Sequence, residues 1–227
     1  MQLANRRLAV TGAFGSLGMA TVQAALGAGA RVAAIDRSDP PVDGVANVIC
    51  IGGVDLADAQ AAKKALRQAA QALGGLDALI NIAGTFRYET IADGKLDTWD
   101  LMYRINLRTA IAASQAALEY LQPGGRIINI GANAALKAGA GMGAYAASKS
   151  GVMRFTEALA EELKPRDITV NAVLPSIIDT PPNRADMPKA NFDQWVKPKQ
   201  LADVIVFLLS EQATAITGAL IPVTGRV

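Results

Sequence analysis

Short apolar runs alternate with alanine-rich runs along almost the whole chain of 227 residues. Strands that read as continuous apolar runs, each followed by a helix, are typical of a parallel sheet covered on both faces. The pattern therefore predicts an α/β fold, a doubly wound sheet of about seven parallel strands with helices on both faces, in a single domain over residues 1–227. The apolar runs are RLAVTG from Arg7, RVAAID from Arg31, NVICIGG from Asn47, LDALINIAG from Leu76, RIINIG from Arg126, ITVNAVLP from Ile168 and GALIPVTG from Gly218. The helical runs cover 16–28, 57–73, much of 95–121, 143–164 and 198–210.

The composition excludes several kinds of chemistry. The chain has no histidine and one cysteine, Cys50, so we expect no metal site, no Ser-His-Asp triad, no histidine acid/base catalysis and no internal disulfide. A net charge of +2, from 22 basic and 20 acidic residues, provides no field that would recruit nucleic acid or an anionic membrane. The first residues lack a secretory apolar run, and no apolar stretch approaches the roughly 20 residues of a membrane span. We therefore expect a cytoplasmic protein that acts on a small molecule.

One long stretch shows neither a helical nor a strand pattern. Residues 176–195, SIIDTPPNRADMPKANFDQW, contain three prolines. A loop of this length inside a compact domain is usually functional or mobile, so we place a substrate loop at about 176–197.

A glycine-rich segment, LAVTGAFGSLG, follows the first predicted strand and places Gly12, Gly15 and Gly18 at the mouth of the first helix. Glycines there permit a tight turn and let a pyrophosphate approach the backbone N–H groups of the helix N-terminus. The alternative is a glycine-rich turn that binds nothing. Asp36 at the end of the second strand favours a dinucleotide and a Rossmann-type fold, because its carboxylate can accept both ribose hydroxyls and would repel a 2′-phosphate. We therefore expect NAD, with NADH preferred over NADPH, although Arg37 could tolerate a phosphate.

Tyr145 and Lys149 are four residues apart in a predicted helix, so their side chains share one face. A phenol acts as an acid or base near neutral pH only if its pKa of about 10 falls by about 3 units, which corresponds to about 4 kcal/mol. An ammonium about 4 Å away supplies roughly that much at an effective dielectric constant near 20. Taken alone, this common spacing indicates an ordinary surface pair, and it becomes specific only because a dinucleotide site precedes it.

Together these segments resemble the short-chain dehydrogenase/reductase family over essentially the whole chain. The resemblance is carried by TGAFGSLG, by Asp55-Leu56, by NIAG at 81–84, by Asn106 in RINLRTA, by YAASK at 145–149 and by NAVLPSIIDT at 171–180. It implies that Tyr145 donates or accepts the proton, that Lys149 holds the nicotinamide ribose and lowers the Tyr145 pKa, and that Asn106 supports a water-linked proton path. The cofactor residues that it implies are Gly12, Phe14, Gly15, Ser16, Leu17, Gly18, Asp36, Arg37, Asp55, Leu56, Asn81, Ala83, Gly84, Tyr145, Lys149, Pro175, Ile178 and Thr180.

The chain departs from the family pattern at two positions. Ser16 stands where the commonest pattern has a glycine. Ala132 stands thirteen residues before Tyr145, where the family normally has a serine that hydrogen-bonds the substrate carbonyl. Stabilisation of that oxygen must come from elsewhere or not be needed.

The segment before Tyr145 and the DTPPNRADMPKANFDQW segment are similar to the dihydropteridine reductase branch of the family, which also lacks the serine. The resemblance implies hydride transfer to a flat, quinonoid pterin-like substrate, near which we place Asn133, Met142 and Trp195. Two alternatives remain open: a general ketone reductase or alcohol dehydrogenase in which Asn133 or Ser148 replaces the lost hydroxyl, and a protein that senses NAD(H) without turnover. The family also suggests a homodimer or homotetramer built from the helices at 95–121 and 143–164.

Overall fold

Seven parallel strands form one sheet in the computed structural model, which describes residues 2–41 and 45–227. The strands lie in the order β3-β2-β1-β4-β5-β6-β7, and each neighbouring pair is parallel. The predicted sheet of about seven parallel strands is confirmed. The strands are β1 (Arg7–Thr11), β2 (Arg31–Ile35), β3 (Val48–Ile51), β4 (Leu76–Asn81), β5 (Leu121–Ile130), β6 (Thr169–Pro175) and β7 (Leu220–Val223).

Helices cover both faces of this sheet, as the alternating pattern predicts. They are α1 (Ser16–Gly27), α2 (Ala59–Leu73), α3 (Leu96–Met102), α4 (Thr109–Ala117), α5 (Gly143–Leu163), α6 (Pro181–Asp186) and α7 (Pro198–Leu209). Capping residues in the sequence determine where some of these helices begin and end. Asp58 caps α2 by accepting a hydrogen bond from the Ala61 backbone N–H at 2.8 Å, and Gly74 ends it in the left-handed conformation at φ 78°.

Each face of the sheet has its own apolar core because successive strand residues point to opposite faces. In β4, Leu79 packs in a cluster with Leu66 of α2 and with residues of α4 and α5. The next residue, Ile80, packs in the other cluster with Val22 of α1 and Ile205 of α7. Side chains buried on both faces explain why the strands read as continuous apolar runs.

The strand order reverses between β1 and β4, which are neighbours at the centre of the sheet. From β1 the chain proceeds outward through β2 and β3, and from β4 it proceeds outward through β5, β6 and β7. In doubly wound sheets a ligand binds outside the carboxyl ends of the strands at such a switch point. The segments that follow β1, β4, β5 and β6 therefore converge on one place.

The structure differs from the sequence-based expectation in two segments. The helix expected within 95–121 is interrupted by a π-helical turn, Tyr103–Arg108, and ends at Ala117. The stretch 176–195, expected to be irregular, contains the short helix α6, whose prolines occupy the first helical positions behind the capping residue Thr180. The same stretch is tied to the sheet side of the molecule by a bridge between Ile178 and Val196, in which the Asp179 N–H donates to the Val196 carbonyl oxygen at 2.8 Å.

Across residues 2–41 and 45–227, no helix is both long enough and apolar enough to cross a bilayer. The cytoplasmic location stays a prediction.

Candidate active site

A cleft of about 1520 Å³ lies at the carboxyl ends of the strands, where the switch point places it. Most of the residues singled out from the sequence line it. They are Gly12, Phe14, Gly15, Ser16, Leu17, Gly18, Asp36, Arg37, Asp55, Leu56, Ala83, Gly84, Asn133, Met142, Tyr145, Lys149, Pro175, Ile178 and Thr180. Asn81, Asn106 and Trp195 do not line it.

The three glycines of the turn after β1 have different surroundings. A Cβ atom on Gly12 would lie 2.6 Å from the Ala83 nitrogen, and one on Gly18 would lie 2.1 Å from the Gly12 carbonyl oxygen, so both positions need glycine for close backbone packing. A Cβ atom on Gly15 would meet nothing nearer than the Gly12 oxygen at 3.6 Å, so this position opens onto the cleft. Gly15 also caps α1 and offers no side-chain hydrogen bond to the first amides of the helix. Those N–H groups are thus available to an anion, and the turn fits the pyrophosphate of a dinucleotide.

Asp36 is held in a fixed orientation beside this turn. One carboxylate oxygen accepts a hydrogen bond from the Phe14 N–H at 2.9 Å, and the other accepts one from the Ser38 N–H at 3.0 Å. A carboxylate has about four acceptor sites, so capacity for ribose hydroxyls remains. Arg37, the next residue, is exposed at the rim of the same cleft.

Asp55 and Leu56 line the cleft in the segment after β3. One Asp55 oxygen accepts from the Ala57 N–H at 3.0 Å, and the other forms an ion pair with Arg104 at 2.5 Å. Leu56 is buried in the apolar core beside them. Each Asp55 oxygen thus has one partner within the protein, and the side chain remains 46% exposed.

Lys149 lies one turn beyond Tyr145 on α5, but its ammonium group is directed to the sheet. Its Nζ donates a hydrogen bond to the Ile130 carbonyl oxygen at 2.7 Å, at the end of β5. Lys149 is only 5% exposed, and this burial lowers its pKa from 10.5 to about 8. Gly84 packs closely against it, because a Cβ atom on Gly84 would lie 3.3 Å from Nζ.

The expected lowering of the Tyr145 pKa by Lys149 is wrong in this structure. Burial of the phenol raises its pKa to about 12, and this desolvation outweighs any effect of the ammonium. The Phe86 ring lies against the phenol ring in a T-shaped arrangement, with centroids 4.9 Å apart. Tyr145 therefore keeps its proton throughout the neutral range, and its pKa would have to fall for it to act efficiently as an acid near neutral pH.

Asn106 lies behind the cleft, in the π-helical turn, and is buried. Its Oδ1 accepts from the Thr85 N–H at 2.7 Å, and its Nδ2 donates to Ser148 Oγ at 2.9 Å. Ser148 Oγ in turn donates to the Tyr145 carbonyl oxygen at 2.7 Å. The side chain thus joins the loop after β4 to the helix that carries Tyr145. Inserted π turns are frequent at functional sites, and here the insertion places Asn106 between those two segments.

The structure places the Asn81 side chain away from the cofactor position that was expected for it. It is buried at the end of β4, where its amide donates to Ser114 Oγ at 3.0 Å and to Asn129 Oδ1 at 2.9 Å. Its neighbours in sequence, Ala83 and Gly84, do line the cleft. Successive residues at the end of a strand point to opposite faces of the sheet. Only some side chains of the NIAG motif therefore face the cleft.

The structure also corrects the substrate position expected for Trp195. The indole is 4% exposed and packs against Phe192, with ring centroids 4.8 Å apart. The bridge between Ile178 and Val196 draws the end of the segment back toward the sheet, so Trp195 anchors it from inside. The cleft surface of the segment comes instead from residues 176–178, from Thr180 and from Asn183, Asp186 and Met187.

Ala132, Asn133 and Ala134 form the wall of the cleft after β5. Ala132 is buried there and provides no hydrogen-bonding group at the position of the family serine. Ser148 cannot replace that hydroxyl, because its Oγ is buried between Asn106 and the Tyr145 backbone. Asn133 lines the cleft and is the polar side chain of this wall.

Several lining residues had no sequence pattern that singled them out. Phe86 and Tyr88, in the loop after β4, and Met187, at the end of α6, expose large apolar groups within the cleft. Phe86 and Tyr88 follow the NIAG motif, and Met187 follows α6. Only the folded structure shows that all three reach the cleft. In the described ranges, no three histidine, cysteine, aspartate or glutamate residues lie together as a metal site would require.

A doubly wound parallel sheet with an open glycine turn at its switch point is typical of a dinucleotide-binding protein.

Comparison with known proteins agrees: the family model described as short chain dehydrogenase matches residues 6–191. A 2-(S)-hydroxypropyl-CoM dehydrogenase of Xanthobacter autotrophicus is 30% identical, over 99% of this chain and 97% of that protein. A 3-oxoacyl-(acyl-carrier-protein) reductase of Thermotoga maritima is 31% identical, over 99% and 98%. A short chain dehydrogenase of Burkholderia cenocepacia, solved in complex with NADP, superposes with a TM-score of 0.87 at 32% identity, over 99% of this chain and 98% of that one.

The chain belongs to the short-chain dehydrogenase/reductase family. It is an NAD(P)-dependent oxidoreductase with a Rossmann-type fold. The alternative of a protein that binds NAD(H) without turnover is therefore set aside.

Proposed function

We propose that the protein reduces a small, flat, conjugated substrate, with Tyr145 as the proton donor. The observation that carries this proposal is that Tyr145 and Lys149, one turn apart on α5, line the same cleft as the glycine turn. A phenol placed beside the bound cofactor can donate the proton that accompanies hydride transfer to the substrate. The bound cofactor would supply the hydride.

Lys149 and Asn106 assist without donating that proton. Lys149 carries its positive charge below pH about 8, and its pKa is lowered because it is buried. A buried ammonium at the end of β5 can hold the hydroxyls of a nicotinamide ribose and stabilise negative charge near Tyr145. Asn106 fixes Tyr145 from behind through Ser148.

Ala132 supports a substrate that needs no hydroxyl clamp on a localised carbonyl. A quinonoid pterin is such a substrate, because its conjugated ring accepts the hydride and spreads the charge. The apolar surface that Phe86, Tyr88 and Met187 expose to the cleft also favours a flat ring. These residues, and the segment resemblance to the dihydropteridine reductase branch, are the support for this substrate class.

General ketone reduction is the second candidate. Two observations favour it: Asn133 lines the cleft beside Ala132 and can donate to a carbonyl oxygen, and the relatives named above are a dehydrogenase and a 3-oxoacyl reductase. In this case Asn133 takes the place of the serine.

NADH is the proposed electron donor. The carboxylate of Asp36, at the end of β2, supports this preference, because a 2′-phosphate placed beside it would be repelled. The Burkholderia cenocepacia relative holds NADP, and Arg37 is the residue through which this chain could accept the same group.

The protein is also proposed to be a homodimer or homotetramer. Leu96 and Trp99 of α3 and Tyr103 just after it expose large apolar groups, which supports a contact through this helix and α5. Light scattering should give a dimer or tetramer for the wild type and a smaller species for Leu96→Glu. A monomeric wild type would contradict the proposal.

The test of function is NADH oxidation with a quinonoid dihydropterin generated in situ and, in parallel, with a panel of ketones. Tyr145→Phe should lower kcat by about 10²- to 10⁴-fold on whichever substrate is reduced, while NADH still binds. A wild-type protein that binds NADH but reduces neither class would refute the proposal, and reduction of ketones alone would favour the second candidate.

A further inference from the structure

Phe86 is the aromatic residue nearest to the proposed proton donor. Its ring centroid lies 4.9 Å from that of Tyr145, and the two ring planes are nearly perpendicular, at 84°. Even so, Phe86 is 47% exposed, and the exposed part lies in the cleft. One part of the ring therefore packs on Tyr145, while another part is open to whatever occupies the substrate end of the cleft.

The backbone on both sides of Phe86 is anchored. Before it, the Thr85 N–H donates to Asn106 Oδ1 at 2.7 Å. After it, the Glu89 N–H donates to the Gly141 carbonyl oxygen at 2.9 Å. The Tyr88 ring covers Gly141 so closely that a Cβ atom there would lie 2.3 Å from it. The backbone that carries Phe86 is thus held on both sides, and the contact with Tyr145 orients its ring.

Phe86 belongs to a group of large apolar side chains that are exposed within the cleft. Tyr88 is 63% exposed and Met187 36%, and both line the same cleft as Met142. Large apolar groups that remain exposed within a cleft indicate a surface covered by a ligand. A rigid aromatic ring among them offers a flat face for stacking.

We propose that Phe86 is a specificity-determining residue that stacks on the planar ring of the substrate and so selects flat substrates over aliphatic ones. The inference rests on the proposed reductase function and adds to it the residue that discriminates between substrates by their shape. It assigns no proton or hydride transfer to Phe86, because the reacting atoms meet Tyr145 and the cofactor.

The test compares substrates that share a reacting group and differ in the flat ring. The flat probes are phenylpropanedione and quinonoid dimethyldihydropterin, and the aliphatic probe is diacetyl, which has the same adjacent carbonyl pair as phenylpropanedione and no ring. Phe86→Leu should raise the Michaelis constant for every flat probe that the wild type reduces by about tenfold, the size expected for one lost aromatic contact. The Michaelis constant for diacetyl and the dissociation constant for NADH should change by less than about twofold.

Control variants separate the ring from its surroundings. Phe86→Tyr keeps the ring and should keep the low Michaelis constant, whereas Phe86→Met removes it and should behave like Phe86→Leu. Phe207→Leu removes an aromatic ring that is 38% exposed on α7, outside the cleft, and should have no effect.

The outcomes distinguish this inference from the function on which it rests. A wild type that reduces none of the probes overturns the proposed function. A wild type that reduces them, with unchanged Michaelis constants for the flat probes in Phe86→Leu and Phe86→Met, overturns the role of Phe86 alone. The role of Phe86 is also overturned if the Michaelis constant for diacetyl or the dissociation constant for NADH rises as much as the Michaelis constants for the flat probes. Such a change indicates general disturbance of the cleft.

Discussion

Asp36 is bound to Phe14: the Phe14 N–H donates to a carboxylate oxygen of Asp36 at 2.9 Å, which joins the end of β2 to the glycine-rich turn. The same carboxylate is the group proposed to accept the ribose hydroxyls. It therefore has two functions, to shape the turn and to choose the cofactor, and substitutions can separate them.

Asp36→Asn keeps an acceptor for Phe14 and removes the negative charge. We expect the ratio of the NADPH Kd to the NADH Kd to fall by about tenfold or more, because the repulsion of a 2′-phosphate is lost. Asp36→Ala should shift the ratio in the same direction and also weaken both cofactors, since it leaves the Phe14 N–H without its partner. Titration of protein fluorescence with each cofactor measures these constants. Asp203→Asn, which removes an exposed acid on α7 outside the cleft, is the control, and an unchanged ratio in both Asp36 variants would contradict the proposed preference.

Lys149 should make folding stability depend on pH. Its pKa is about 8 in the folded protein and 10.5 in its ordinary state, so between these values the unfolded chain binds more protons and wild-type stability rises with pH. Lys149→Met removes this dependence. Between about pH 7 and about pH 9.5, the free energy of unfolding of the wild type should therefore rise by about 2 kcal/mol relative to that of Lys149→Met. Urea unfolding at each pH measures it.

Lys64→Met, at an exposed position on α2, is the matched control and should give curves parallel to the wild type. Parallel curves for Lys149→Met as well would show that the ammonium is not buried as the structure has it.

Ser148 is predicted to position Tyr145. Ser148→Ala removes the hydroxyl that links Asn106 Nδ2 to the Tyr145 carbonyl, and it leaves that buried amide with only a 3.8 Å contact to Met102 Sδ. An unsatisfied buried donor costs about 1–3 kcal/mol, so both stability and kcat should fall, kcat by about five- to tenfold. The Kd of NADH should not change. Ser150→Ala on the same helix, whose hydroxyl donates to Ala135 instead, should leave kcat near the wild-type value, and equal losses in the two variants would contradict a specific role for Ser148.

Sequence reasoning recovered the sheet because each strand is buried on both faces, which leaves a continuous apolar run such as ITVNAVLP in β6. It also recovered most of the cleft, since parallel strands bring their carboxyl ends to one edge. It misplaced Asn81 and Trp195 because whether a side chain faces the cleft or the core depends on how its segment folds back. The pKa of Tyr145 was wrong for a similar reason: helical spacing fixes the distance to Lys149 but not the burial of either group.

Phe86 lay beyond sequence reasoning altogether, because its contact with Tyr145 joins the loop after β4 to helix α5, and the two are distant in the chain. Asn106 was singled out by the family resemblance, but its contacts with Thr85 and Ser148 appear only in the folded structure. Motif spacing in the sequence identifies residues that share one strand end or one helix face. Contacts between residues of different segments can be identified only from the folded structure.

Ala132 gives the sharpest test of the substrate class. The residue is buried, lines the cleft and has an extended backbone, at φ −157° and ψ 142°, that a serine can adopt. In Ala132→Ser the new hydroxyl could hydrogen-bond a localised carbonyl, so kcat/KM for ketones should rise by about tenfold, the value of one such bond. Reduction of the quinonoid dihydropterin should change by less than about twofold, because its charge is spread over the ring. Ala134→Ser, on the same wall, is the control for added polarity. If Ala132→Ser raised both activities equally, the absence of the serine would have no bearing on substrate choice, and the flat-substrate proposal would lose its main support.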